Sequence, residues 1–268
     1  MKNNTKRKEM NPDFKFEIRH IMKAMYEITK IEFKLFLRLF PAVFFSFFFP
    51  SLMLLMFGGI YGNTPNNMFG GHGVVDVSFP AYTAMIIAVT GIMTLPLSVC
   101  GYREQKILKR YEATPISPWH VLASQIIINI IMTICGMILL FLVGKIVFNL
   151  HFLGALFPTI IALLLSIFSI FSIGILIASL SPNIKTAQII ANIVYFPMIF
   201  LTGATIPLEI FPKIMIKISK FIPLTYSVDL LKGVWLGGKL SDYTNDILIL
   251  LIIMTISLLI SIFTFRWE

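Results

Sequence analysis

An all-α integral membrane protein with six transmembrane helices is predicted by three observations. Hydrophobic residues make up 57% of the 268-residue chain and charged residues only 13%, with a mean hydropathy of +0.86. Soluble domains average about 45–50% apolar and about 25% charged. Six apolar runs, at about 40–61, 79–101, 120–148, 152–180, 186–206 and 245–265, are each long enough to cross a bilayer, given ~1.5 Å of rise per residue and a core of about 30 Å. Helices are the open solution, because lipid offers nothing to free backbone groups. The third observation is where the cations fall. With both termini on the cytoplasmic side, sixteen Lys and Arg lie inside and six outside, which favours that orientation by the positive-inside rule.

The elements follow in order. Residues 1–39 carry ten Lys and Arg and no apolar run of signal-peptide form. Residues 1–13 read as a solvated tail. From 14 to 40, Ile18, Ile21, Met22, Met25 and Ile28 recur at helical spacing, while Lys15, Arg19, Lys23, Glu27 and Lys30 fall largely on other faces. This pattern predicts a basic amphipathic helix lying on the inner leaflet, held by apolar burial and anionic lipid, or packed on another protein. Residues 40–268 then form the six-helix transmembrane domain. The loop 62–78 is rich in Gly and Asn, with Asp76 its only charge, and reads as an external turn. His72 there has no second His or Cys at metal-ligand spacing. Cys100 and Cys135, at or within apolar spans, read as buried small hydrophobes.

The chemistry that is missing bounds the function. No Asp or Glu lies in the apolar cores of the spans, where an ion-coupled carrier usually needs one. Within the spans, Asn129, Gln188 and Asn192 read as interhelical hydrogen-bonding groups, or, for Gln188 and Asn192, as part of a substrate path. Residues 233–239, GVWLGGK, match the spacing of a phosphate loop. The next residue, Leu240, is neither Ser nor Thr, and no strand–loop–helix surrounds the match. The chain therefore reads as having no ATPase site, no cofactor or metal site and no catalytic cluster. Its net charge of +9 is topological and does not point to nucleic acid.

The segment 102–119 interrupts the apolar pattern. Arg103, Lys106, Lys109 and Arg110 mix with Glu104 and Glu112, then Pro115 and Pro118 stop the helix. Lys106 and Arg110 repel at i, i+4, which suits a helix that meets an acidic partner or lipid phosphates. An ordinary positive-inside loop accounts for the charge equally well. The stretch YREQKILKRYEATPISPWHVLASQ resembles the cytoplasmic loop of permease subunits of type-2 ABC exporters, especially drug and antibiotic exporters. The resemblance rests on Arg103 and Glu104, Leu108 and Arg110, then Ala113, Thr114, Pro115, Ile116 and Ser117. Lys106-Ile107 stands where the family often has a Gly-Thr or Gly-Ser pair. A second resemblance lies at 205–238: Pro207 and Pro212, then Pro223, Leu224, Thr225 and Tyr226, then Lys232 before Gly237 and Gly238.

The resemblance implies a coupling helix within 102–119 that docks on a separate ABC ATPase, with Arg103, Glu104, Lys106, Lys109, Arg110, Glu112, Thr114 and Pro115 as its contact residues. It implies an external re-entrant helical hairpin over 207–232, built on Pro207, Pro212, Pro223, Tyr226 and Lys232. It further implies two ATPase copies that bind ATP and Mg, a second permease chain (identical or not), and a substrate path lined by spans one, two and five. The substrate class left open is amphiphilic: drugs, antibiotic-like compounds or lipids. The Lys-, Ile- and Asn-rich composition points to a low-GC bacterium and thus to its plasma membrane. A secondary transporter or channel, and a non-transporting sensor or immunity protein with the same fold, remain as alternatives.

Overall fold

The computed structural model describes residues 12–66, 69–107, 118–204 and 211–265, with side chains from residue 25 onward. The basic amphipathic stretch forms α1, Pro12–Arg38. Leu39 breaks the helix and Pro41 starts the next, where its fixed φ and missing N–H suit the first turn. The six candidate spans are α2 (Phe40–Tyr61), α3 (Val74–Glu104), α4 (Trp119–Phe148), α5 (Leu156–Leu180), α6 (Ile184–Leu201) and Leu240–Thr264. Between the last two lie α7 (Lys213–Ser219) and α8 (Pro223–Trp235). The last span opens with a 3₁₀ turn, Leu240–Tyr243, and continues as α9, Thr244–Thr264. The fold class expected from the sequence is the one observed.

The helices sort by how much they bury. The second span is the centre of the bundle: every residue from Val74 to Ala88 is buried, whereas the last span is mostly exposed apolar surface. That is the pattern of a bundle whose outer surface meets lipid, since lipid is as apolar as Leu and imposes no inside-out sorting. Small residues let α3 and α5 approach closely. A methyl on Gly174 would overlap the Gly91 carbonyl oxygen, and one on Gly91 would lie 2.6 Å from Phe171 Cδ1.

Two spans depart from α geometry where they face each other's neighbourhood. Phe44–Phe48 in α2 and Val89–Thr94 in α3 are π-helical. The wider turns shift the side chains that follow, a distortion common at functional sites. At the far end from α1, Trp235 of α8 packs on Phe79 of α3 at 4.3 Å and on Phe152 of the α4–α5 link at 4.7 Å between ring centroids. The helix pair α7–α8 therefore caps the end of the bundle opposite α1.

Three sequence expectations change. The second span begins at Val74, so Asp76 is a buried residue in its first turn and not a turn residue. A helix N-terminus tolerates a carboxylate because its free N–H groups carry partial positive charge. Cys135 is exposed on α4, whereas Cys100 is buried; Cys135 points outward because α4 uses its other faces to pack on α1, α2 and α3. Asn129 turns inward on its own helix: its Nδ2 donates to Gln125 O at 2.8 Å, with no bond across to another helix.

Candidate functional site

A groove of about 450 Å³ runs between α2, α3 and α6. Its walls are Phe45 and Phe49 from α2, Val89, Met93 and Leu97 from α3, and Ile184, Ile199 and Phe200 from α6. Both π-helical stretches contribute, through Phe45 and through Val89, Met93 and Thr94. These are the three spans that the resemblance implied as the path. The lining is almost wholly apolar. Its polar atoms are few: Gln188, Thr94, Ser98 and the Tyr195 hydroxyl, which is buried and has no hydrogen-bond partner. Gln188 is exposed and lines the groove; Asn192, one turn further on α6, is half-buried and lies outside the lining. An apolar trough with a few fixed polar atoms suits a ligand with a hydrocarbon body and a small polar head.

The groove is tied to the segment 102–119 through two residues singled out from the sequence. Arg103 ends α3 and is buried, and its guanidinium donates to Ser181 O, to Ala178 O at 3.4 Å and to Cys100 Sγ at 3.5 Å. The two carbonyls close the C-terminal end of α5, where the last C=O groups lack helical partners and the dipole favours a cation. Glu104 is exposed, and its Oε1 accepts from Ile184 N at 2.9 Å, at the start of α6. Asn183 Oδ1 caps the same helix by accepting from Thr186 N at 2.8 Å. The Arg-Glu pair therefore grips the α5–α6 turn, and Ile184 of that grip, with Gln188 one turn further on, lines the groove. Lys106 follows with φ 53, the left-handed conformation that ends a helix. Lys109, Arg110, Glu112, Thr114 and Pro115 lie outside the described residues.

At the opposite end, the prolines act as expected of breakers. Pro212 caps α7 and Pro223 starts α8. Tyr226 Oη donates to Lys220 O at 2.5 Å and Thr225 Oγ1 to Ser219 O at 2.6 Å, closing the α7–α8 elbow. Lys213, Lys217 and Lys220 are exposed on α7 and its following turn, where their stems can cover apolar surface while the charge stays wet. Lys232 is half-buried in the last turn of α8, and Pro207 lies outside the described residues. The glycines of GVWLGGK serve packing: side chains at Gly233 or Gly238 would collide with the Tyr243 ring.

Three residues at this end carry a network that the sequence reading missed. Asp76 Oδ1 accepts from Asn63 Nδ2 at 3.0 Å and from His151 N at 2.9 Å, and its Oδ2 lies 3.4 Å from His151 Nδ1. Asn63 Oδ1 in turn accepts from Val75 N and Asp76 N, and its Nδ2 reaches Phe148 O at 3.3 Å. One buried carboxylate thus joins the α2–α3 loop, the start of α3 and the α4–α5 link. Glu32 on α1 was also missed. It is 6% exposed, and burial pushes its carboxyl above the ordinary value of 4.5. The Gln125 side chain faces it and tempers the rise. Ile28, Glu32 and Phe36 are all buried at a spacing of four, so the face was readable from the register of α1.

Comparison with known proteins agrees with this architecture. A model of the ABC-2 type transporter family matches residues 23–236. The probable multidrug ABC transporter permease YbhS of Escherichia coli K12 is 24% identical over 162 residues, 60% of this chain and 43% of that protein. Its counterpart YbhR is 23% identical over 176 residues, 66% of this chain and 48% of that protein. Nodulation protein J of Rhizobium leguminosarum bv. viciae is 30% identical over 90 residues, 34% of this chain and 35% of that protein. The chain thus matches less than half the length of each of these relatives. Six apolar helices, a helix along one end, a short helix pair at the other and a family match from α1 to α8 lead to one conclusion: the chain is a multi-pass membrane protein of the ABC-2 type transporter family.

Proposed function

We propose that the chain is the permease subunit of an ATP-driven exporter, moving an amphiphilic substrate across a bacterial plasma membrane along the α2–α3–α6 groove. Two such chains pair, and two copies of a separate ATPase, which bind ATP and Mg, dock on the segment that follows Glu104. Both termini and α1 then lie in or on the cytoplasmic side, and the α7–α8 pair lies outside. The observation that carries this reading is the grip of Arg103 and Glu104 on the α5–α6 turn. Any displacement of the segment after Glu104 is passed by short hydrogen bonds to the start of α6, and α6 is a wall of the groove. A packed wall responds to such a push by moving as a unit, because protein interiors are close-packed.

The test is export in proteoliposomes. With the partner ATPase and ATP, an apolar fluorescent amphiphile should be depleted from the ATP-facing side, and vanadate should stop it. Filling the groove by Ala42→Phe should change transport while the ATPase still co-purifies. Equal flux without ATP or without the ATPase would sink the reading in favour of a channel or secondary carrier.

A further inference from the structure

A second cavity, whose walls are chemically different, adjoins the groove. This cavity, about 370 Å³, lies between α1, the last turns of α3 and the first turns of α4, and Leu39, Thr94 and Ser98 line both. Glu32, Gln125 and Asn129 line the second alone, and they are 6%, 1% and 1% exposed. Gln125 Nε2 and Asn129 Oδ1 are buried without a hydrogen-bond partner. Asn129 Nδ2 is already engaged with Gln125 O, which leaves Oδ1 as the open atom of that amide. Among the described residues, no cation lies within ion-pair distance of the Glu32 carboxylate. Arg38 also lines the cavity, from an exposed position at its edge.

Buried polar atoms are normally paired, and a buried carboxylate is normally paired with a cation. Here a carboxylate met only by the Gln125 side chain, a neutral acceptor and the remaining N–H of the Gln125 amide face one cavity. We propose that this cavity binds the head of an amphiphile that carries a protonated amine beside an oxygen acceptor, with its hydrocarbon tail in the α2–α3–α6 groove. The ammonium N–H groups serve Glu32 and Asn129 Oδ1, and the oxygen accepts from Gln125 Nε2. A quaternary ammonium would satisfy the charge but leave Asn129 unserved. An anionic head would meet Glu32 with the wrong sign. A metal ion would find one carboxylate and otherwise mostly apolar wall, a poor ligand set for a hard cation. The assignment rests on the export reading for the tail's place in the groove. It names the substrate class, an amine-bearing amphiphile, that the groove alone leaves open.

The same head chemistry has two sources, an exported compound or a membrane aminolipid. The test uses the full-length permease in nanodiscs of phosphatidylcholine and phosphatidylglycerol, with dodecylaminoethanol as probe and dodecyloxyethanol as its neutral counterpart. Wild type should bind the amine about tenfold or more tightly than the ether, the size expected of a charge-assisted hydrogen bond. Glu32→Gln should erase that preference and keep the ether's affinity, and Glu32→Asp should restore part of it. Equal affinity for the two probes in wild type, which needs no variant to fold, would overturn the proposal. So would an unchanged preference in Glu32→Gln. Nanodiscs containing phosphatidylethanolamine separate the sources: competition there identifies a lipid head as the occupant. Absence of competition, with ATP-driven export of the amine, identifies cargo. Amine binding without ATP-driven export would refute the export reading and leave the site standing. Export of amphiphiles with no preference for the amine would refute the site and leave export standing.

Discussion

Replacing Arg103 by alanine removes the link between the charged segment and the groove, and its cost can be worked out. Arg103 is 8% exposed, and its guanidinium donates to Ser181 O and Ala178 O. Both carbonyls lie at the end of α5, where no helical N–H follows to replace the lost donor. A hydrogen bond to a charged group contributes roughly 1.5–3 kcal/mol, and the Ala178 contact at 3.4 Å lies at the weak end, so the total is about 2–3 kcal/mol. That shifts the docking equilibrium of the α3 end on the α5–α6 turn by roughly 30- to 150-fold. In proteoliposomes with the partner ATPase, Arg103→Ala should lower the melting temperature of the permease by several degrees. It should also raise the ATP hydrolysed per substrate exported about tenfold. Arg103→Lys should fall between, since both carbonyls are met by one terminal nitrogen of the guanidinium, Nη2, and an ammonium keeps the charge on a shorter, more flexible stem. A variant with unchanged melting and unchanged coupling would refute the reasoning, because the grip would then transmit nothing.

Four further outcomes are expected. Glu104→Ala should destabilise the start of α6 by about 1 kcal/mol, the usual value of a cap, seen as faster hydrogen exchange of Ile184 and its neighbours, whereas Lys106→Gly should stabilise slightly because its φ is 53. Gly174→Ala should cost about 1–3 kcal/mol or more in thermal unfolding, as the added methyl meets backbone that cannot yield, while Gly101→Ala, whose nearest neighbour would be Ile184 Cδ1 at 3.6 Å, should be silent. Asp76→Ala should lose about 2–4 kcal/mol by stranding Asn63 Nδ2 and His151 N, and Asp76→Asn should recover part of it, both read as melting temperature. For Glu32 the folded carboxyl holds its proton to higher pH than the unfolded one, so its buried charge costs stability above the folded value and nothing below the unfolded value. Glu32→Gln should therefore be the more stable protein at about pH 8, with the difference vanishing towards about pH 4, measured by exchange protection of α1 amides.

Much of the architecture was legible because its causes are local. Twenty-odd apolar residues in a row can only be a span, and Pro212 and Pro223 end helices wherever they stand. The amphipathic register of Met25 and Ile28 on α1 needed no partner to be read. The site was legible only in part. Arg103 and Glu104 stood out by charge, yet their partners Ser181 and Ile184 lie 78 and 80 residues away, and no local pattern announces such a pairing. Asp76 looked like loop because hydropathy places the start of a span at its first apolar run. Asn63, 13 residues earlier in the same loop, supplies the cap that lets the helix begin earlier.

The sequence by itself determined a six-span helical membrane protein with a basic helix before the first span and a broken, basic stretch before the last. Those features follow from the energy of moving each residue type into hydrocarbon, which depends on composition and short-range order alone. Only the tertiary structure decided which residues of spans one, two and five wall the groove, that two of these spans turn π-helical there, and that Glu32, Gln125 and Asn129 share one cavity. Those are matters of which faces meet, and in a bilayer hydropathy does not choose among apolar faces; close packing of small residues and a few buried hydrogen bonds do.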